Sequence, residues 1–589
     1  MNNLRLPAAL ALLLLAALPL LATAALALGA LFDASAWRAL WQDPQWQRAL
    51  AYSIWTGLAS TALAWWGAAA LLAQGFVRQS LNRLLRGLPV MLATPHAAFA
   101  IGLAFLIAPS GWLLRAASPW LTGFEFPPPW PTTQDPWGLG LIAALTAKEI
   151  PFLLWTAATQ LQRDDLRQRW RAEHALAQTL GYGPQRAYWR VVWPQLSARL
   201  FWPLLAVLAY GLTVVDMALV IGPASPPTLA VLAWQWLQDA DLATNAQGAA
   251  AGGVLAIAVL LSVLGWRALQ AVATHRARLG NGERGHEPKR SPTPSVRPEP
   301  FDKLRTGSVE GLKRTRASIV RWLRQAQPER RGLGGTKTAF GFWLLAALYA
   351  AVLLTLAIGS IAGVWPFPAL WPEALTTQAW HSVWSSRSTL ATTLVLALAS
   401  APLALAWSVA WLELAPRRWD TAFRPLLYLP LVLPAVLWVV GLYRVALWLR
   451  LEGQWCGLLL AHTAMVLPYV LLALSPAYLG FDPRYQALSA SLGHGRWRFL
   501  LRVKWPLLRR ALSASAAVGF AVSVAQYLPT LYIGAGRFSS VTTEAVTLAA
   551  GAQRSLTSAY AGLQFLLPVL AFGIAAWLSH PRRFKVATT

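Results

Sequence analysis

Residues Ala175–Leu196 read ALAQTLGYGPQRAYWRVVWPQL and residues Ala487–Leu508 read ALSASLGHGRWRFLLRVKWPLL, 312 positions apart and identical at 11 of 22 places. Each copy follows the fourth of six apolar runs, so one element has been built twice in a duplicated chain. In both, Ala175-Leu176 or Ala487-Leu488 opens a short helical stretch that reaches a Leu-Gly pair. Gly181 and Gly183, matched by Gly493 and Gly495, supply the backbone freedom of a sharp bend, and Pro194 and Pro506 start a helix leading into the next run. Between glycine and proline, Tyr188, Trp189, Val191 and Trp193, or Phe499, Leu500, Val503 and Trp505, carry more apolar surface than a solvated loop needs. A partner face is expected for them.

The runs around these elements set the fold class. Of 589 residues 56% are hydrophobic, 33 are Trp and 12% are charged, against about 25% charged in a soluble globular protein. Runs long enough to cross a hydrocarbon core of roughly 30 Å begin near Leu6, Tyr52, Pro89, Gly138, Leu200 and Gln247, then Thr338, Ser386, Ala422, Trp455, Ala511 and Ser558. The expectation is an all-α polytopic membrane protein of about twelve spans. Six belong to residues 1–270 and six to 338–589, with a basic Pro/Gly/Arg-rich linker at 271–337.

A net charge of +27 would suggest nucleic acid on a soluble chain. Here the basic residues fall on alternate loops: Arg78, Arg83 and Arg86, then Arg417 and Arg418, then Arg582, Arg583 and Lys585, together with both repeated elements and the linker. That alternation is a topology signal that puts both termini in the cytoplasm, with lipid and not nucleic acid as the surrounding partner. The linker is expected to be mostly disordered, a tolerated insertion. A regulatory or anionic-lipid-binding role is its alternative, with Ala317–Leu323 as a short basic interfacial helix. Arg5 ahead of an apolar run and the small residues Ala22, Thr23 and Ala24 have the form of a secretory signal. The length of the run favours a retained first span. The single Cys456 offers neither a disulfide framework nor a cysteine metal site.

The halves echo each other elsewhere. Pro95 stands seven residues before Gly102-Leu103, and Pro434 seven before Gly441-Leu442. Proline and glycine inside a span loosen the helix and let neighbours approach.

The repeated phrase resembles the cytoplasmic EAA loop of the permease subunits of binding-protein-dependent ABC importers, with the family's glycine-to-proline spacing in both copies. The whole chain resembles the fused permeases of the iron(III) and thiamine importers. That resemblance implies two copies of a separate ABC ATPase docked on the two loops, a periplasmic substrate-binding protein, inward transport across the bacterial inner membrane, and no covalent chemistry. Ala175 and Ala487 stand where the motif's initial Glu belongs, and Glu173 lies two residues early in the first copy only. No ionic contact is therefore expected from those two positions. No phosphate-binding G-x-x-x-x-G-K-[ST] loop is present, since Thr336 stands where the second glycine of that motif belongs in Gly334–Thr338. The expectation is therefore no cofactor in this chain, with ATP bound by the partner.

Ionisable groups within spans are costly and tend to face a pathway or each other. Asp216 and Gln526, 22 and 20 residues beyond Pro194 and Pro506, are the leading pathway candidates. Lys148 and Glu149 follow, with a local charge pair as their alternative, and His96, His462 and Arg444 are also within spans. A carboxylate at 216 suits a cationic solute, and the surrounding GLTVVDMALVIG resembles the thiamine-permease half. A secondary transporter of the major facilitator type also has six plus six spans. Its loop between spans two and three would need an acidic signature, but FVRQSLNRLLRGLP has none. A membrane-bound enzyme would need clustered ligands or polar groups at the membrane face, and no such spacing occurs.

Overall fold

The computed structural model describes residues 5–78, 80–161, 164–280, 340–551 and 553–579. Among them the ordered structure is helical, apart from one isolated bridge between Ala362 and Leu375. Among the described residues nine helices are long and apolar enough to cross a membrane, and twelve spans result if three sharply bent helix pairs count as one span each. Two compact units form: Met1–Leu261 with Ala339–Thr589, and Ser262–Thr338. All that is described of the second unit is the end of the helix Leu242–Gly280. Most of the linker, the stretch Ala317–Leu323 and the basic residues at 582–585 lie outside the described residues.

Within the large unit, single uninterrupted helices occupy several expected runs, as in Arg5–Gly29, Trp46–Val77, Leu139–Leu161, Trp455–Leu479 and Arg554–Leu578. The runs expected from Pro89, Leu200, Ala422 and Ala511 are instead broken. Pro95 and Pro434 explain two of the breaks. Each is the residue before a new helix, His96–Ile107 and Ala435–Trp448, because a residue preceding proline is pushed out of helical geometry.

The two glycines seven residues beyond those prolines sit at close helix crossings. A Cβ on Gly102 would strike Val352 and Leu356 of the helix Phe340–Gly359, and one on Gly441 would strike the Thr23 carbonyl and Ala27 of Arg5–Gly29. In lipid, helices associate through such close backbone approach rather than through apolar burial. The crossings are reciprocal. The first helix of the chain packs on Trp438 and Trp411 of the later half, and Phe340–Gly359 packs on the earlier half, with the Phe99 and Tyr349 rings 4.7 Å apart. Trp407 seals the first of these by donating its indole N–H to the Leu12 carbonyl at 3.1 Å.

Polar contacts repeat as well. Ser53 Oγ accepts the Leu229 backbone N–H at 2.9 Å, and Thr393 Oγ1 accepts that of Val541 at 2.9 Å. Each ties the start of a short helix, Leu229–Trp236 or Val541–Ala549, to a long span.

Candidate functional site

The two repeated elements adopt the same backbone in the same register. The helix Asp164–Thr179 ends at Gly181, whose φ of +88° is the left-handed conformation that glycine tolerates, and Arg484–Ser491 ends at Gly493 with φ +72°. Tyr182 and Gly181 donate back to Ala177 and Gln178 at 3.2 and 3.0 Å, and His494 and Gly493 to Ser489 and Ala490 at 3.0 and 3.0 Å. This pair of bonds is the Schellman closure of a helix C-terminus. Gly183 and Gly495 are extended and start the next helix.

That helix widens into a π turn at Tyr188–Val192 and at Leu500–Lys504. The cause lies one turn ahead. Pro194 and Pro506 have no N–H to donate and their rings crowd the carbonyls of Arg190 and Arg502, so the backbone opens there. The chain then bends by 66° into Phe201–Thr213 and by 75° into Arg509–Val524.

The aromatic residues expected to seek an outside partner instead face their own half. Tyr188 is fully buried with its ring 5.5 Å from Phe76, and Trp193 and Trp189 lie 4.9 and 6.0 Å from Trp65 and Trp66 of the helix Trp46–Val77. Phe499 and Leu500 are buried, and Trp505 donates to the Tyr478 hydroxyl at 3.2 Å. Val191 and Val503 are half-buried. Turning these side chains inward buries their apolar surface within the bundle and leaves another face open. Leu176 and Leu180 are 61% and 72% exposed, and their register mates Leu488 and Leu492 are 60% and 65% exposed. Four-residue spacing puts each pair on one helix face. Ala175, Ala487, Pro194 and Pro506 are exposed as well.

Each element is tied down by a carboxylate that is not at the motif position. In the first, Glu173 accepts from Arg169 Nε and Gln195 Nε2, both at 2.7 Å, and Gln195 Oε1 accepts the Trp170 indole N–H at 3.1 Å. The hydrogen bonds from Arg169 and then Gln195 hold the Glu173 carboxyl below the ordinary glutamate value. In the second, the carboxylate is Glu413, at the end of the span Arg387–Leu414. It receives Arg496 Nη2 at 3.0 Å, the Tyr478 hydroxyl at 2.8 Å and Lys504 Nζ. Sequence reading missed Glu413, although an acid near the end of the apolar stretch LALAWSVAWLELAP was a visible signal.

Among the in-span candidates, Lys148 and Glu149 turn to different partners. Lys148 donates to the carbonyls of Met91 and Thr94 at 3.0 and 2.6 Å, filling the helix end that Pro95 leaves open. Glu149 faces His96, with Nε2 to Oε1 at 3.4 Å. Asp216 opens the short helix after a break in its span and accepts the Tyr210 hydroxyl at 3.3 Å. Gln526 is half-buried at the matching break between Arg509–Val524 and Leu528–Gly534. His462 is a satisfied core histidine, bonded to Ser523 at 2.9 Å and Thr530 at 3.0 Å. Arg444 is exposed and donates to the Leu26 carbonyl at 3.3 Å. Among the described residues no group of three or more His, Cys, Asp or Glu is placed to hold a metal ion.

No family model matches the chain. It is 32% identical over 563 residues to the Inner membrane ABC transporter permease protein YnjC of Escherichia coli, a match that covers 93% of this chain and 92% of that protein. The Thiamine transport system permease protein ThiP of Salmonella typhimurium is 29% identical over 215 residues, 33% of this chain and 39% of ThiP. A probable molybdenum ABC transporter permease protein of Haloferax volcanii is 30% identical over 228 residues, 35% of this chain and 80% of that protein. The major facilitator alternative falls with the first of these matches. A near end-to-end match to an ABC permease, together with an all-α polytopic fold and two identically built bends, shows that the chain belongs to the ABC transporter permeases, multi-pass inner-membrane proteins that are not themselves enzymes.

Proposed function

We propose that the chain carries a small solute into the cytoplasm, driven by two copies of a separate ABC ATPase docked on the two repeated elements and supplied by a periplasmic substrate-binding protein. The observation that carries this reading is the pair of leucine faces, Leu176 with Leu180 and Leu488 with Leu492, exposed in the same register at the end of an anchored, sharply bent helix. A rigid lever with an unpartnered apolar tip suits transmission of a partner's movement into the attached span. Ala175 and Ala487, exposed beside the leucines, make the contact apolar where the family motif has a carboxylate. The element's own ionic bonds, through Glu173 and Glu413, stiffen it from behind.

In this reading residues 1–270 and 338–589 are the two six-span halves, 271–337 joins them, and both termini lie in the cytoplasm. The chain binds no cofactor, and ATP sits in the partner. Of the solutes the sequence suggested, a thiamine-like molecule and iron(III), the first is also named in the relative ThiP. The test is co-expression of the chain with the ABC ATPases of its own genome, followed by purification and ATP-driven uptake into vesicles. Leu176→Asp with Leu488→Asp should abolish ATPase association while the permease remains folded. Uptake that persists with no ATPase bound would refute the reading.

A further inference from the structure

A series of aromatic and acidic side chains runs across both halves. It begins on the face opposite the repeated elements, at Glu452, which precedes the helix Trp455–Leu479 by three residues and accepts the Tyr443 hydroxyl at 2.9 Å. Tyr443 stands 6.1 Å, ring to ring, from Tyr532, whose hydroxyl donates to the Trp234 carbonyl at 3.4 Å. The Trp234 ring lies 6.4 Å from that of Tyr527, and its buried indole N–H has no protein partner. Tyr527 is within electrostatic range of Asp216. From Asp216 the series runs through Tyr210 to His96, rings 4.7 Å apart, and ends at Glu149.

Two properties separate this series from ordinary core packing. The first is access. The His96 side chain is 37% exposed although it lies against Glu149, and Tyr469, also 37% exposed, is within electrostatic range of Tyr210 and Glu149. The second is charge. Three carboxylates mark the series, against the one ammonium of Lys148, which donates to the Met91 and Thr94 carbonyls and lies within electrostatic range of Glu149. At the outer end the exposed Arg537 lies against Gly453.

We propose that this series is the translocation track and that it selects a small organic cation carrying a ring, held by cation–π and stacking contacts between the carboxylates. A molybdate-like oxyanion would meet repulsion at Glu452, Asp216 and Glu149. The inference rests on the importer reading above, and adds the solute class that the relatives' names leave divided between thiamine and molybdenum.

The test needs no ATPase, so its failure is separable from failure of the importer reading. Cys456 is the one thiol of the chain and is exposed. In the full chain in vesicles, Cys456→Ser with Tyr469→Cys moves that thiol into the track. Its rates with trimethylammonium-ethyl and sulfonatoethyl methanethiosulfonate are then compared with those of Cys456 in the parent chain. The track should favour the cationic reagent by about tenfold more than Cys456 does, as expected where a cleft of one sign focuses counter-ions. Asp216→Asn and, separately, Glu149→Gln should each reduce that preference, and thiamine but not molybdate should slow the labelling. Selectivity equal to that of Cys456, no reaction with either reagent, no change with both neutral variants, or protection by molybdate alone would overturn the proposal.

Discussion

Arg496 donates to Glu413 across 83 residues of chain, Nη2 to Oε2 at 3.0 Å, and thereby fastens the second repeated element to the end of the span Arg387–Leu414. Both side chains are largely shielded, at 22% and 13% exposure. Lys504 shares the same carboxylate from the π turn. Removing the acid leaves two shielded cations without a counter-charge, a loss worth about 2 kcal/mol. Glu413→Gln should therefore lower the thermal midpoint of the purified chain and open residues 480–508 to protease. Glu173→Gln, in a more exposed network, should lower it by no more than about 1 kcal/mol equivalent.

Gly181 and Gly493 have positive φ and open space where a Cβ would go, so their requirement is conformational and not steric. Gly493→Val should cost about 1–2 kcal/mol of local stability and weaken ATPase association, while Gly493→Asn should retain most of it. Equal behaviour of the two variants in a binding titration would contradict this.

Gly102 and Gly441 present the opposite case, with close neighbours and ordinary φ. Gly441→Leu should destabilise the detergent-solubilised chain by about 1–3 kcal/mol or more, as overpacking does. Gly562→Ala, on a helix face with nothing within 4 Å, serves as the control and should leave the melting curve unchanged.

The Glu173 carboxyl is held low by Arg169 and Gln195, so its contribution is present above the unfolded glutamate value of about 4.3 and fades as pH falls through the lower folded value. Protease sensitivity of residues 164–200 should rise on acidification, and Glu173→Gln should flatten that rise.

The sequence made the repeated bends legible because glycine and proline encode backbone geometry locally: Gly181, Gly493, Pro194 and Pro506 stand where the turns and restarts form. Gly102 and Gly441 likewise announced close approach. Facing direction was not legible. Tyr188 and Phe499 were as apolar as Leu176 and Leu488, and only the arrangement of Phe76 and Phe481 decides which pair turns inward. Glu413 escaped notice because its partners lie 83 and 91 residues away, and the breaks within four spans, two of them at Pro95 and Pro434, blurred where those spans begin.

The hydrogen bond from Trp407 to Leu12 joins residues 395 apart. At a synthesis rate of about 5–20 residues per second, the opening helix waits roughly 20–80 s in the bilayer before the helix that will cover it has been made. Throughout that time lipid must solvate the side it later gives to Trp411 and Trp438. Assembly of this protein is therefore an exchange of lipid for protein late in translation, and a segment made early is among the last to be settled.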